Sequence, residues 1–352
     1  LEMSFVDQEE EVMQITEGLL VRMFKEVRGV TLPEHFVRMP WTECMNRYGS
    51  DKPDLRFGME IKCLDDIAKD SDFVVFKNAI ADGGTVRAIV LEGGADKLSR
   101  KELDKLVEFV KTYKAKGLAW YGLGAEGVKC SFVKAVTAEE LDKIATTLGM
   151  KQGDIALFVA DEWQTAVVSL GALRCNLAAR FGLYKSDDYA ALWVVDFPLF
   201  EYSEEEGRFV AMHHPFTAPK NEDLPFMLTD KARVRAKAYD VVINGDEMGG
   251  GSMRIYNQDV QKLMFKALGF TDEQTQAKFG YFVEAFKYGT PPHGGLALGL
   301  DRLVMVLTET SNIKDVIAFP KMQNASCMMT DAPAPVDDKQ LDELEIALNI
   351  KE

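Results

Sequence analysis

The stretch Tyr239-Asp240-Val241-Val242-Ile243-Asn244-Gly245-Asp246-Glu247-Met248-Gly249-Gly250-Gly251-Ser252-Met253-Arg254-Ile255-Tyr256 constrains the fold more than any other part of this chain. Asn244-Gly245 is the strongest short signal for a two-residue β-hairpin loop, because such a loop needs positive φ at both positions. With that loop, Val242 pairs with Glu247 and Asp240 with Gly249, which sets Asp240 and Glu247 diagonally on one face. Two carboxylates on one surface are a donor set for a divalent ion that also meets phosphate oxygens. Strict alternation puts Arg254 on the opposite face from Glu247, and a bulge within Gly249-Gly250-Gly251 would bring it round. The glycines also let a flat ligand approach the backbone. A flexible strand with solvated acids is the other reading of the same residues.

A second stretch, Gly294-Gly295-Leu296-Ala297-Leu298-Gly299-Leu300-Asp301-Arg302-Leu303-Val304-Met305-Val306-Leu307, joins a glycine-rich strand to a helix. Leu300, Leu303, Val306 and Leu307 form an apolar stripe at helical spacing. The free N–H groups and positive dipole end of the helix favour an anion, and Arg302 adds a charge that pairs bidentately with phosphate or stacks on a base. A packed helix with a structural arginine fits the same residues.

The chain has 352 residues, 47% of them hydrophobic and 28% charged, enough for large cores in two domains or in one domain with a sizeable insertion. A net charge of −15 argues against indiscriminate nucleic-acid binding, so RNA would need a local basic patch. Lys97, Arg100, Lys101, Lys105, Lys111, Lys114 and Lys116 supply one, although a solvated helix face is the commoner meaning of such a run. The five cysteines are scattered without a C-x-x-C pair, which argues against a zinc knuckle or disulfide framework and fits a reducing, cytoplasmic setting. No apolar run is long enough to cross a bilayer and no signal peptide is visible, so no membrane partner is expected. Leu1 to Phe5 alternates from the first residue without an initiator Met, and reads as a strand within a longer chain.

Asp7 is placed to cap a helix whose apolar positions are Val12, Thr16, Leu19, Leu20, Met23, Phe24 and Val27. Short helices are expected near Trp41 to Tyr48 and Asp65 to Lys69. Strands are expected at Phe73 to Phe76, Val86 to Val90, Leu118 to Tyr121 and Ile155 to Val159. Ser99 with Glu102 and Thr137 with Glu140 open helices, and Trp163 to Phe181 is a long helix. Residues 73–184 read as an inserted α+β block, flanked by segments 1–72 and 185–352. Leu192 to Phe197 is a near-continuous apolar strand. Met212-His213-His214-Pro215-Phe216 reads as another strand, on which adjacent histidines point to opposite faces and make a poor shared metal site. One of them can face a pocket, and a hydrogen-bonded structural histidine is the plainer alternative.

These two stretches, with Met212-His213-His214-Pro215-Phe216, Tyr288-Gly289-Thr290-Pro291-Pro292-His293-Gly294-Gly295 and Asp315-Val316-Ile317-Ala318-Phe319-Pro320-Lys321, closely resemble the bacterial-type aspartyl-tRNA synthetases over essentially the whole chain. The inserted block resembles the GAD domain of those enzymes. The resemblance implies an α+β fold: a class II synthetase-type antiparallel sheet flanked by helices, with a GAD-like insertion. It implies that Gly299, Leu300, Asp301 and Arg302 form the third class II motif, with Arg302 on ATP. Glu247 with Asp240 would form the ATP and Mg2+ site, and Arg302 and Glu247 would be catalytic. Arg254 would pair with the side-chain carboxylate of aspartate, with His213, and less securely His214, at the amino-acid pocket.

The implied partners are L-aspartate, ATP and tRNA(Asp), in an enzyme that is a homodimer at full length. The family's anticodon-binding domain, its dimer-forming first motif, and the ATP-clamping arginine of its second motif all precede the position matched by Leu1, and Glu2 matches an acid of that motif's second strand. Losing one preorganised charged contact costs on the order of a hundredfold in rate, so little activity is expected of this polypeptide alone. The alternatives are a non-catalytic tRNA- or nucleotide-binding relative and, among enzymes, asparagine and lysine ligases, against which Arg254 and the insertion weigh.

Overall fold

The computed structural model describes residues 1–350, so the third expected segment ends two residues beyond them. Contacts divide the chain into two compact units, Leu1–Gly299 and Leu300–Glu352.

The first unit opens with β1 (Glu2–Ser4), α1 (Glu9–Arg28), β2 (Val37–Pro40) and α2 (Trp41–Tyr48). Asp7 does not cap α1. Gln8 holds that position without a side-chain bond, and Glu9, Glu10 and Glu11 in the first turn complement the helix dipole instead. Val12, Thr16, Leu20 and Phe24 are buried, whereas Leu19 and Val27 are exposed, because the helix buries chiefly its i, i+4 row. Glu17, inside that face, accepts from Arg38 Nη1 (2.5 Å), the Phe36 N–H (2.8 Å) and Trp193 Nε1 (3.0 Å). Burial raises its pKa, but these bonds outweigh it and leave the carboxyl below its ordinary value.

The next stretch contributes β3 (Lys62–Cys63), α3 (Asp65–Ala68), α4 (Val74–Ala81), β4 (Thr85–Leu91), α5 (Arg100–Lys111), β5 (Ala119–Gly124), β6 (Gly127–Cys130), α6 (Ala138–Leu148), β7 (Ile155–Asp161) and α7 (Trp163–Phe181). Its strands make a five-stranded antiparallel sheet in the order β3-β4-β7-β5-β6. Alternation sorts its two faces: Ile89, Leu91, Ile155, Leu157 and Val159 pack with α5 and α7, while Val86, Ala88, Ala156 and Phe158 pack with α3, α4 and α6. Ser99 and Glu102 form a capping box, and the Thr137 hydroxyl caps α6. Phe73 to Phe76 is not a strand. It leads into α4, because Phe73 and Phe76 join an aromatic cluster with Phe132 and Phe158, leaving Val74 and Val75 exposed; a short apolar run does not by itself choose between helix and strand.

The chain then returns through β8 (Ala191–Val195), β9 (Phe200–Ser203), β10 (Arg208–Ala211), β11 (Ala238–Ile243), β12 (Asp246–Met253), α8 (Gln258–Ala267), α9 (Asp272–Ala285) and β13 (His293–Leu298). A six-stranded sheet runs β1-β13-β12-β11-β8-β2, antiparallel except for the β2–β8 pair. One face holds the core of Leu192, Val194, Ala238 and Val242 with Cys44, Tyr48 and Met264; the other holds Trp193 and Tyr239 beside Glu17. The fold is α+β, with antiparallel-rich sheets flanked by helices. β10 ends at Ala211, so His213 and His214 lie in an irregular segment rather than on a strand, where Pro215 removes a donor from any ladder.

The second unit begins with α10 (Leu300–Thr308) and ends with the short α11 (Asp338–Glu343). Leu303 is buried, but Leu300, at the first helical position, is 73% exposed and off the packed stripe.

Candidate active site

The hairpin turn forms at Asn244 (φ 56°) and Gly245 (φ 87°), both left-handed as a two-residue loop requires. Val242 faces Glu247, but Asp240 faces Gly250 rather than Gly249, because Met248 is an extra residue opposite Val241 and Val242. That bulge sits one residue before the glycines. Its effect is to reverse the alternation, so Glu247, Gly250 and Ser252 share the face of Asp240, and the same alternation, continued by the Arg254 N–H bond to the His293 carbonyl, assigns Arg254 to it. The Met248 carbonyl accepts from the Gly299 N–H at 2.8 Å, which ties the bulge to the end of β13.

Gly250 is the floor of the acid pair. A Cβ there would overlap Asp240 Oδ1 and lie 3.6 Å from Glu247 Oε1. Burial pushes the Asp240 pKa up to about 7, and the charges of Glu247 and then Asp51 add to that shift. His213 stands in the same field: desolvation lowers its pKa, while Glu247 and Asp51 oppose the change, and its ring meets Phe197 edge-on at 5.1 Å. On β1, the Glu2 carboxylate stands where a Gly295 side chain would begin, and the Gly295 carbonyl accepts from the Tyr239 hydroxyl at 2.9 Å.

Arg254 meets His214 rather than His213. Its Nη1 bonds the His214 ring, whose Nδ1 also accepts from the Phe216 N–H at 3.2 Å. Burial, and next the Arg254 charge, bring the His214 pKa down to about 4, so the ring is neutral near pH 7. Beyond Arg254 and His293 opens a cavity of about 280 Å³, lined also by Lys237, Tyr256, Asn257 and Asp7. His293 Nδ1 donates to the Pro291 carbonyl at 2.9 Å.

The first unit therefore gathers Asp240, Glu247 and His213, and pairs Arg254 with His214. Gly299 closes that unit, while Leu300, Asp301 and Arg302 open the second, at the start of α10. Sequence reasoning missed Asp51 and the role of Gly250. Asp51 sits in the Gly49-Ser50-Asp51-Lys52-Pro53 loop, where no periodic pattern marks a direction. Among the described residues no set of three or more His, Cys, Asp and Glu is placed for a metal ion. Two carboxylates that share one face are instead the kind of donor set Mg2+ takes, since it keeps water and phosphate as its remaining ligands. A raised carboxyl pKa beside a second acid is the electrostatic mark of a site that a cation would stabilise.

A profile of the class II tRNA synthetases (D, K and N) matches residues 1–323. The chain belongs to that family. It is 55% identical over 349 residues to an aspartate–tRNA ligase of Clostridium botulinum strain Eklund 17B, covering 99% of this chain and 58% of the relative. It is 55% identical over 353 residues to the aspartate–tRNA ligase of Clostridium beijerinckii, covering 100% of this chain and 59% of that one. Among solved structures, an aspartyl-tRNA synthetase from Entamoeba histolytica superposes with a TM-score of 0.40 at 16% identity, over 92% of this chain and 42% of that one. The chain thus spans 58–59% of the length of these two bacterial class II relatives.

Proposed function

We propose that this chain is the C-terminal catalytic part of an aspartate–tRNA ligase acting in the cytoplasm. In the reaction, an α-carboxylate oxygen of L-aspartate attacks the α-phosphorus of ATP and pyrophosphate leaves. The terminal hydroxyl of tRNA(Asp) then attacks the carbonyl of the aspartyl-adenylate and AMP leaves. Chemistry at phosphorus asks for charge neutralisation and positioning more than for a protein nucleophile, and the residues here offer that.

Glu247 and Asp240 hold the divalent ion, which when bound neutralises phosphate charge. Arg254 presents a planar guanidinium suited to the side-chain carboxylate of aspartate, with neutral His214 bonded to it and His213 at the rim. Gly299 to Asp301 and Arg302 bind ATP, Arg302 through its charge. By the resemblance, segments 1–72 and 185–352 make the catalytic domain around a GAD-like insertion, 73–184, whose sheet also takes in β3 at Lys62–Cys63, and the full-length enzyme is a homodimer.

The observation that supports this reading is the Met248 bulge, which reverses the alternation of β12 as a shared face for Arg254 and the two acids requires, in a chain of the class II tRNA synthetase (D, K and N) family. Pyrophosphate exchange into ATP with aspartate, asparagine or lysine, by this chain joined to the N-terminal region of a full-length relative, tests it. Exchange with aspartate alone supports the reading; a preference for either other amino acid contradicts the role given to Arg254.

A further inference from the structure

The segment between α2 and β3 touches both α7 and the turn of the β11–β12 hairpin. At one end Gly49 and Gly171 meet backbone to backbone: a Cβ on Gly171 would lie 2.6 Å from the carbonyl oxygens of Tyr48 and Gly49. At the other, the Gly245 turn rests on Asp54, whose Cβ is 3.0 Å from where a Gly245 side chain would begin.

Between these ends stands Arg174 of α7, with none of its surface exposed. Its Nη2 donates to the carbonyl oxygens of Asp54 (2.9 Å), Gly58 (3.0 Å) and Phe57 (3.1 Å). Its guanidinium lies 4.1 Å from the Phe57 ring centre and 5.0 Å from that of Tyr48. The Asp54 carboxylate in turn holds Arg56 (2.7 Å), which stacks on Tyr184 at 3.9 Å. A buried guanidinium is costly to desolvate, and an apolar side chain of similar volume would fill the same space with less penalty, so stability alone does not account for a cation here. What a cation does that an apolar side chain cannot is fix three carbonyls in direction.

We propose that Arg174 is a positioning residue for the Asp240 and Glu247 carboxylates: it locks the 54–58 backbone to α7, and through Asp54 it fixes the turn from which Glu247 projects. The same segment carries Asp51, so its placement beside Asp240 and His213 depends on the same lock. The proposal deepens the reading of Asp240 and Glu247 as a cation site and rests on it.

The test measures amide hydrogen exchange over 54–58 and 242–249, and Mn2+ binding, in the 352-residue chain. It compares Arg174→Met and Arg174→Lys with Val159→Ala, a core change in the five-stranded sheet. Arg174→Met is expected to speed exchange in both segments about tenfold and weaken Mn2+ binding about tenfold, with Arg174→Lys restoring most of both. Val159→Ala should lower the melting temperature and leave both readouts unchanged. Hairpin exchange and Mn2+ affinity in Arg174→Met equal to those of Val159→Ala would overturn the proposal. If Arg174→Met does not fold, Gly245→Ala pushes on Asp54 from the hairpin side, and unchanged exchange over 54–58 would overturn it equally. Absence of Mn2+ binding by the unsubstituted chain would remove the cation reading of the acid pair, while the exchange result still decides the coupling.

Discussion

Asp240 and Gly250 are matched across the β11–β12 ladder so closely that the carboxylate occupies the space a side chain at 250 would need. The neighbouring glycine differs in what it protects, since a Cβ on Gly251 would overlap the Gly295 carbonyl of β13. Gly250→Ala should therefore displace a movable carboxylate, weakening Mn2+ binding about tenfold with little loss of stability, whereas Gly251→Ala should push strands apart and cost about 2–3 kcal/mol. Metal titration and urea unfolding of the two variants separate these outcomes.

Asp240 carries a cost that a cation would relieve. Its folded-state pKa, about 7, lies above its ordinary value of 3.8, so the unfolded chain releases this proton first and stability falls as pH rises from about 4 to about 7. Asp240→Asn has no proton to release. It should be more stable than the parent at pH 8 by roughly 2–4 kcal/mol and nearly equal at pH 3.5, while losing Mn2+ binding. Urea midpoints at the two pH values check the sign.

His214 behaves in the opposite sense. With its pKa brought down to about 4 from 6.5, the unfolded chain binds a proton that the folded one refuses, so stability falls as pH drops from about 6.5 towards 4. Solvent screening limits the effect to ~1–2 kcal/mol. In Arg254→Met the His214 titration should move up but stay below 6.5, because burial is the larger cause; a two-dimensional NMR pH series reads this directly.

The Met248 bulge supplies a geometric test. Deleting Met248 restores strict alternation and turns either Glu247 or Arg254 to the wrong face, so it should abolish Mn2+ binding or amino-acid binding while the sheet still forms. Met248→Ala keeps the count and should retain both, at a cost of about 2–4 kcal/mol for a fully buried methionine. Calorimetric titration of each variant with Mn2+ and with aspartate distinguishes register from packing.

The hairpin, its turn, the long helix Trp163–Phe181 and the paired acids were legible because each rests on local chemistry: a loop that demands Asn-Gly, a helical stripe, and two carboxylates an even number of residues from the turn. The bulge was legible as a need, since Arg254 could not otherwise join the acids, but its place was not. Gly249 to Gly251 attract attention as permissive residues, while Met248 carries the extra count through hydrogen bonding from Gly299. Phe73 to Phe76 was misread because its aromatic partners, Phe132 and Phe158, are distant in sequence. Asp51 and Arg174 were illegible for a related reason: each acts through backbone or field contacts set by tertiary packing, which leave no period in the sequence.

The most direct measurement is aspartate-dependent pyrophosphate exchange by this chain joined to the N-terminal region of the Clostridium botulinum relative, with Glu247→Gln and Arg254→Lys in the same background. Exchange in the joined protein, reduced about a hundredfold or more by each substitution, is the predicted result. Absence of exchange, or exchange that survives both substitutions, would contradict the assignment of this face of the sheet as the site of amino-acid activation.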